Sequence, residues 1–463
     1  MRVLWLLALF APLAAFAKEP PLPAGLPPFG PDRPLPMPDV QRSTTPDGLT
    51  VWLVPRKGLP KVSMVLAVRG GTSADRAGLQ GSSEILGKVL GEGTTTRSAR
   101  QIAEAIQEAG GALYTWSDDD TTFIEATGLS RSGLDVLRTL ADVARNASFP
   151  AEEVALAKAN ALQAWQVRSS TPTFLATRAL ATSLYGTHPY HVVGATPEVI
   201  EAVTPEILRR MHRQRFRPDR ALLVAVGDFD AMALRQEIEK VFAGWKGEGE
   251  PPPPTPSPTP MPRQLILVPR PGSVQTQYEL GRVGPRPTDP GFIPLQVADA
   301  VFGGAAGSRL MRNIREEKGY TYTPYSRVEP MLQCSTLVTG AAVRTEVTGP
   351  ALVEILYELD RMATAPPSEE ELERTRRLLV GRHVMANQSQ EAVATRLAGY
   401  WGVGLPAEML AQWVDRVRAV TPADVLQASR AHLASRLQSI VAVGDPGMEA
   451  DLRVFGPVVV RAP

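Results

Sequence analysis

The chain has 463 residues, 44% of them hydrophobic, a length that suggests roughly two to four domains with buried cores. Its 49 basic and 48 acidic residues nearly cancel, so the charge balance gives no reason to expect a nucleic acid or an anionic membrane surface as partner. The single cysteine, Cys334, excludes an internal disulfide and is more typical of a small core residue than of a reactive thiol.

The first 17 residues have the pattern of a secretory signal peptide. Arg2 supplies the positive charge, an apolar run follows, and Ala15-Phe16-Ala17 places small residues at the two positions that a signal peptidase inspects. We therefore expect cleavage before Lys18 and an exported protein, periplasmic or extracellular. The apolar run is shorter than the ~20 residues of a comfortable membrane span. The alternative is an uncleaved segment that tethers the protein to a membrane.

A proline-rich leader at residues 18–40 precedes the first predicted elements. A β-branched run that ends at Arg56 predicts a strand. Apolar residues recur at helical spacing from Ser98 to Ala109, and two glycines then end the helix. Residues 113–126 indicate strand structure interrupted by an acidic turn. Further helices are predicted near residues 132–146, 151–167 and 172–184.

Composition changes abruptly at residues 247–263, where glycine and glutamate give way to a run of prolines. Such a run cannot pair in a sheet and favours polyproline II geometry. We expect a semi-rigid spacer that holds two domains apart, facing each other. In the second part of the chain, Ser368 with three following glutamates has the form of a capping box ahead of a long helix.

Three short markers occur twice, in the same order, on the two sides of this linker. They are Leu-Val-Pro-Arg at 53–56 and 267–270, Pro-x-Glu-Glu at 150–153 and 367–370, and Val-Thr-Pro at 203–205 and 420–422. Each Val-Thr-Pro should open a helix capped by its threonine, and each of these helices leads to a strand that ends in Gly-Asp. We therefore predict a duplicated α+β domain at residues 41–246 and 264–463, each an antiparallel-rich sheet with helices packed on one face.

The first copy contains a strand, a glycine-rich connection and a helix that leads to Gly93-Thr94, with an arginine nearby. This order resembles the pitrilysin and insulinase-type zinc peptidases, and most of all their bacterial two-subunit members and mitochondrial processing peptidase. The resemblance covers the chain from about residue 40. It implies that the two domains form half of a clam shell and that two such halves enclose a peptide.

The active chains of that family carry His-x-x-Glu-His on a helix, which places two zinc ligands and a general base on one helix face. In the alignment on Gly-Thr, Glu84 stands for the first histidine, Gly87 for the base and Lys88 for the second histidine. The position of the third ligand falls near Gln163-Ala164, where neither residue is a carboxylate. No histidine precedes His188. The resemblance therefore implies that this chain binds no metal and that zinc belongs to a partner chain.

The five histidines are interpreted as structural. His188 and His191 are three residues apart, a spacing that can suit zinc, but they lie in a proline-containing turn. The remaining three, His212, His383 and His432, are lone residues on predicted helices.

Arg315 and Tyr322 in the second copy are seven residues apart with a glycine turn between them. In the family that the chain resembles, an arginine and a tyrosine at this spacing serve the active site from the C-terminal domain. A guanidinium and a phenol can donate hydrogen bonds to a substrate carbonyl and to the oxygen charge that grows during attack. The alternative is that Arg315 pairs with a glutamate and Tyr322 packs as a strand aromatic. Tyr320 is a second candidate for the tyrosine, at a spacing of five.

The family binds substrate backbone along an edge strand that usually contains Asn-Ala. Here the corresponding window contains Tyr114 and Trp116, followed by the acidic turn Asp118–Asp120. We treat Tyr114 and Trp116 as candidate peptide contacts; the alternative is an edge aromatic followed by a solvated turn.

The resemblance implies a non-catalytic subunit of a heterodimeric zinc peptidase. A homologous partner with His-x-x-Glu-His would bind zinc, this chain would supply Arg315, Tyr322 and peptide-binding walls, and peptide bonds would be hydrolysed only by the pair. The alternative is a scaffold or peptide-binding protein that keeps the fold without proteolysis. An autonomous peptidase is disfavoured by the missing ligands.

Overall fold

A computed structural model describes residues 39–462. The predicted signal peptide, and the predicted leader up to residue 38, lie outside this range. The described chain forms two six-stranded mixed sheets. The strands are β1 (Gln41–Thr44), β2 (Thr50–Pro55), β3 (Lys61–Arg69), β4 (Leu113–Ser117), β5 (Thr121–Leu129), β6 (Ala221–Gly227), β7 (Leu265–Pro269), β8 (Gln275–Gly284), β9 (Tyr325–Pro330), β10 (Ser335–Arg344), β11 (Ser439–Gly444) and β12 (Val458–Val460).

Groups of helices lie between groups of these strands in both parts of the chain. They are α1 (Ser82–Val89), α2 (Ala99–Glu108), α3 (Gly133–Asn146), α4 (Ala151–Ser169), α5 (Pro172–Tyr185), α6 (Pro197–Ala202), α7 (Pro205–Arg215), α8 (Ala231–Val241), α9 (Phe292–Asp299), α10 (Thr348–Thr364), α11 (Glu369–Met385), α12 (Gln390–Gly402), α13 (Met409–Ala419), α14 (Pro422–His432) and α15 (Glu449–Arg453). Two π-helical turns, Ala300–Gly304 and Met311–Glu317, follow α9. No helix in residues 39–462 is long and apolar enough to cross a membrane.

The two sheets repeat one topology. The first has the order β1-β2-β6-β3-β5-β4 and the second the order β12-β7-β11-β8-β10-β9. The β2 strand is parallel to β6, and its counterpart β7 is parallel to β11. The central β3 and β8 are antiparallel to both of their neighbours. The predicted duplication is thereby confirmed at the level of strand order. The sheets differ at one edge, where β1 pairs antiparallel and β12 parallel.

Each sheet buries one face against helices of its own half. In the first half, Leu66, Ile85 and Leu137 belong to a core that contains residues of α1, α3 and α8. In the second half, Leu280 and Ile355 belong to the equivalent core, which contains residues of α9, α10 and α14. Every second residue of a strand points to this face, and the helical spacing of apolar residues on these helices places them against it. The predicted α+β class is confirmed.

The opposite face of each sheet is covered by one helix from the other half, a feature that the sequence analysis did not anticipate. Helix α12 places Leu397 and Ala398 against Val65 and Val224 of the first sheet. Helix α5 packs in the corresponding way, through residues such as Leu180, on the second sheet. The two repeats are offset by 217 residues, so Leu180 and Leu397 occupy equivalent positions in them. The halves therefore exchange equivalent helices and share two apolar layers.

The proline-rich linker does not hold the halves apart, so the expectation of a spacer is wrong. It runs over the first half, where Ser73 and Thr255 hydroxyls lie 2.8 Å apart and Arg220 Nη1 donates to the carbonyl of Pro252 at 3.1 Å. These hydrogen bonds, and one from the Ser257 hydroxyl to Gln333 Oε1 of the second half at 3.3 Å, hold the linker along the surface.

Local helix signals were mostly accurate. Thr204 caps α7, and Thr421 forms a complete capping box with Asp424 at α14. At α11, however, Ser368 accepts from the amide of Glu371 but the reciprocal bond is not made. The Glu371 carboxylate is instead held by a guanidinium from another part of the second half, described below.

Leu397→Ala should lower the free energy of unfolding by about 2–4 kcal/mol, because this fully buried side chain of α12 packs against the sheet of the other half. Unfolding in denaturant should remain a single transition, since the halves share both apolar layers. Leu156→Ala on α4, where the side chain is 57% exposed, is the control and should change stability by less than about 0.5 kcal/mol. Two separate transitions in the wild-type chain would contradict this description.

Candidate active site

Helix α1, on which the zinc motif of the resembled family would lie, is held firmly at its N-terminus. Gly81 begins the helix with φ of +92°, a conformation that favours glycine. Its amide and that of Ser83 donate to Asp75 Oδ2 at 2.8 and 3.1 Å. Arg215 Nη2 in turn donates to Asp75 Oδ1 at 2.9 Å, and both side chains are buried. Helix α1 is therefore well formed, although it carries none of the zinc-binding residues of the family's motif.

The three motif positions on α1 leave no room for the missing base. A Cβ added to Gly87 would lie 2.7 Å from the amide nitrogen of Ser117 and 2.8 Å from the carbonyl carbon of Trp116. These are backbone atoms of β4, so any side chain at this position must displace the edge strand. Glu84 is half-buried, and Lys88 is exposed to solvent. The helix is thus closed against β4 at the position where a peptidase of this type needs its glutamate.

The position of the third ligand lies on α4, which packs beside α1. Gln163 is exposed there and Ala164 is half-buried. Among residues 39–462, no group of three or more histidine, cysteine, aspartate or glutamate side chains is arranged to hold a metal ion.

The histidines His188, His191 and His212 are engaged with the backbone. His188 Nε2 lies 2.9 Å from the carbonyl oxygen of Pro256 in the linker, and its Nδ1 accepts from the amide of Tyr190 at 3.2 Å. His191 Nδ1 lies 2.8 Å from the carbonyl oxygen of His188. Burial lowers the pKa of His212 to about 4, and its Nε2 lies 2.9 Å from the carbonyl oxygen of Ala144. These contacts agree with the structural interpretation of these side chains.

The segment that carries Arg315 is anchored by two buried polar contacts. Arg309 binds Glu371 of α11 with two hydrogen bonds, Nε to Oε1 at 2.8 Å and Nη2 to Oε2 at 2.7 Å. Asn313 Nδ2 donates to Glu354 and Glu358 of α10 at 3.0 Å each. The two parallel hydrogen bonds between Arg309 and Glu371 fix both the position and the orientation of the guanidinium. The π-helical turn Met311–Glu317 is therefore held to α11 through Arg309 and to α10 through Asn313.

Arg315 and Tyr322 lie together on the surface of the second half. The guanidinium carbon of Arg315 is 4.7 Å from the centre of the Tyr322 ring, and Tyr322 is 76% exposed. No carboxylate among the described residues lies within ion-pair distance of Arg315, and Tyr322 lies in the loop before β9 rather than in a strand. Tyr320 is half-buried against the core of the second half. Arg315 Nη1 donates to Met311 Sδ at 3.6 Å, and the structure leaves the remaining donors of Arg315 and the hydroxyl of Tyr322 exposed to solvent.

The edge strand β4 separates its two aromatic candidates. Tyr114 is 57% exposed, whereas Trp116 stacks on Phe123 with ring centroids 4.9 Å apart and packs in the layer shared with α12. In an antiparallel pair, alternate residues of a strand bond to the partner strand and the others point away from it. The amide of Asp118 donates to the carbonyl of Thr121 in β5, so the backbone N–H and C=O of Thr115 point to the open edge. Tyr114 is thus an exposed side chain on an edge strand that is paired on one side only, and Trp116 packs in the interface between the halves.

The acidic turn after β4 is not simply a solvated turn. Asp120 is buried, accepts from the Tyr190 hydroxyl at 2.8 Å and from the amide of Leu332 at 2.7 Å, and so joins the two halves. Burial, reinforced by the neighbouring carboxylates, raises the pKa of Asp119 to about 7. Burial also raises the pKa of Asp118 to about 6. Sequence reasoning missed this contact because Leu332 is 212 residues away in the chain.

Two family models match the chain. Residues 51–195 match the insulinase family, peptidase family M16, and residues 202–379 match the peptidase M16 inactive domain. The chain belongs to the insulinase family. An uncharacterized zinc protease of Streptomyces coelicolor is 24% identical over 86% of this chain and 88% of its own length. An uncharacterized zinc protease of Rickettsia bellii is 23% identical over 85% and 95% of the two chains.

Solved structures share the fold of this insulinase-family chain. A peptidase M16 inactive domain from Pseudomonas fluorescens has a TM-score of 0.81 and 24% identity, covering 88% of this chain and 98% of its own. A protease from Helicobacter pylori has a TM-score of 0.80 and 17% identity, covering 88% and 99%. The resemblance inferred from Gly93-Thr94 and the repeat is thereby confirmed, while α1 lacks every ligand of the family's motif.

Proposed function

We propose that this insulinase-family chain is the zinc-free subunit of a heterodimeric metallopeptidase. The observation that carries the proposal is the contrast between its two halves. In the first, the backbone of β4 fills the space beside Gly87 where the general base would stand. In the second, Arg315 and Tyr322 are stacked and exposed with no acidic partner among the described residues. A pure scaffold has no chemical need for such a pair.

In this proposal, a homologous partner with His-x-x-Glu-His would hold the zinc, which when bound would supply the activation of a water for attack. Arg315 contributes a permanent positive charge with a rigid fork of donors, which suits a carbonyl oxygen that becomes negative during attack. The Tyr322 hydroxyl contributes a second donor. Stacking of the guanidinium on the phenol ring restricts both side chains before substrate arrives, which lowers the entropy cost of ordering them.

The proposed substrates are unfolded or short peptides that enter between two clam-shell halves, with part of their backbone added to the open edge of β4. We also propose that the complex forms outside the cytoplasm, in the periplasm or the extracellular space, because the sequence begins with a signal-peptide pattern. An uncleaved signal would tether the same complex to the membrane.

The test is a titration of a zinc-bearing family member from the same organism with this chain. Peptide turnover should rise from near zero and level off at one chain per partner, and the assembly should elute as a one-to-one complex in size-exclusion chromatography. Full turnover by the zinc-bearing protein alone, unchanged when this chain is added, would refute the proposal.

A further inference from the structure

Helix α12 rests on the first sheet through a polar contact inside a largely apolar layer. Leu397 and Ala398 pack among the apolar side chains of that layer. Beside them, the Thr395 hydroxyl lies 3.3 Å from Oε2 of Glu125, in the middle of β5. Glu125 is only 6% exposed. The contact therefore places a carboxyl group within the interface between the two halves.

Glu125 lacks the hydrogen-bond donors that an ionised carboxylate needs. Its Oε1 is shielded from solvent and has no partner among the described residues. The Thr395 hydroxyl has a single proton to donate, and the carbonyl oxygen of Glu391 accepts it at 3.0 Å, a shorter distance than that to Glu125. A buried carboxylate without donors is costly. The geometry therefore favours the protonated carboxyl, which can itself donate to the hydroxyl oxygen of Thr395.

The side chain of Glu391 lies next to this buried carboxyl. Glu391 is exposed in the first turn of α12, and its carboxyl group is within hydrogen-bond reach of Glu125. A carboxylate accepts a hydrogen bond from a protonated carboxyl but repels an ionised one. Glu391 therefore stabilises the contact while Glu125 keeps its proton and weakens the contact once the proton is lost.

The other charged or titratable side chains around Glu125 come from β4, β3, the connection before β3, and α12. They are Tyr114, Lys61, Arg69, Arg56, Lys57 and Arg396. Arg69 lies over the Trp401 ring at 4.5 Å, and Arg396 bonds to Tyr400. Within residues 39–462, the charge that acts on Glu125 is that of Glu391. A proton shared by the two glutamates therefore takes the place of a counter-cation.

We propose that Glu125 and Glu391 form a proton-dependent latch between the halves. The shared proton holds the start of α12 on the first sheet, and its loss loosens that contact. The latch is a property of the fold and does not depend on the proposed role in hydrolysis, so it is tested on the isolated chain.

The titration of Glu125 sets the pH window of the latch. Burial, together with the charge of Glu391, raises the pKa of Glu125 from 4.5 to about 7. The closed contact thus binds the proton more tightly than the opened one does. Its contribution to stability is fully present below pH 4.5 and is lost as the pH rises through about 7.

The experiment is hydrogen–deuterium exchange of the mature chain, with α12 as the reporter and α2 as the reference segment. Glu125→Gln cannot titrate, keeps the size of the side chain and can donate to Glu391. The two proteins are compared at equal pH, so the intrinsic pH dependence of exchange cancels. The ratio of α12 opening in the wild type to that in the variant should rise about tenfold or more from about pH 5.5 to about pH 8.5. Exchange in α2 should stay equal.

Glu391→Gln tests the second carboxyl. It removes the neighbouring charge, so the rise in α12 opening should be smaller than in the wild type and complete at a lower pH. Because Glu391 is exposed, this variant should fold even if Glu125→Gln does not. Glu239→Gln is the matched control, since Glu239 is an exposed carboxyl on α8 of the first half, and it should follow the wild type at every pH.

A wild-type to Glu125→Gln ratio that does not change with pH would overturn the latch. So would a Glu391→Gln variant that titrates like the wild type, or a Glu239→Gln variant that loses the pH dependence of α12 opening.

Discussion

Arg315→Ala in the assembled complex should lower kcat on the order of a hundredfold or more, and the one-to-one assembly should persist. Removal of a preorganised donor aimed at developing oxygen charge typically has an effect of this size. Arg315 is exposed and makes no ion pair within the described residues, so its loss removes little folding energy. Steady-state turnover of a fluorogenic peptide, with assembly followed by light scattering, measures both quantities.

Tyr322→Phe isolates the hydroxyl from the ring. The phenyl ring keeps its stacking contact with Arg315, so a fall in kcat in this variant reports the lost donor and not a displaced guanidinium. Arg315→Lys keeps the charge but not the planar fork of donors, and should recover only part of the activity.

Two exposed residues serve as controls for this pair. Tyr357, 56% exposed on α10, is the control for the tyrosine, and Arg131, exposed in the first half, is the control for the arginine. Tyr357→Phe and Arg131→Ala should leave kcat within about twofold, as expected for surface changes away from the site. Wild-type turnover in both Arg315→Ala and Tyr322→Phe would remove the catalytic role.

Restoring the family's motif with Glu84→His, Gly87→Glu and Lys88→His should produce neither stoichiometric zinc nor activity in the isolated chain. The new glutamate would have to enter a space filled by backbone atoms of Ser117 and Trp116. The third ligand would also be missing, because Gln163 and Ala164 offer no carboxylate. Zinc sites of this type need three protein ligands and an open position.

The stability effect should come mainly from one of the three changes. Gly87→Glu alone should lower the free energy of unfolding by about 1–3 kcal/mol or more, since forcing volume into a packed contact displaces β4. The pair Glu84→His and Lys88→His is the control and should stay within about 1 kcal/mol of wild type, because one side chain is half-buried and the other exposed. A triple variant that binds one zinc with unchanged stability would contradict the description of a closed helix.

The sequence was informative wherever a local or periodic signal determines structure. The threonine and proline markers predicted the starts of α7 and α14, and the repeat offset predicted two copies of one sheet topology. These features depend on neighbours in the chain, on backbone capping and on short motifs that recur at a fixed offset.

Contacts between distant segments could not be predicted in the same way. Helices α5 and α12 have weakly patterned surfaces because each packs between a sheet and other helices, so periodicity did not reveal that the halves exchange them. Ser368 and Glu371 matched a capping box, but Arg309 binds the glutamate more strongly than a backbone amide does. The sequence showed that Gly87 replaces the glutamate of the zinc motif. It did not show that the backbone of β4 fills the space where that glutamate would lie.

The central claim is the proposal that hydrolysis requires a second chain, because residues 39–462 hold no group of histidine, cysteine, aspartate or glutamate side chains arranged to bind a metal ion. The most direct measurement is the metal content and peptide turnover of the isolated mature chain after dialysis against zinc, beside the same chain mixed with its zinc-bearing relative. We predict neither bound zinc nor turnover in the isolated chain, and turnover in the mixture that disappears when a chelator removes the partner's metal. One tightly bound zinc per isolated chain, together with peptide cleavage, would contradict the account.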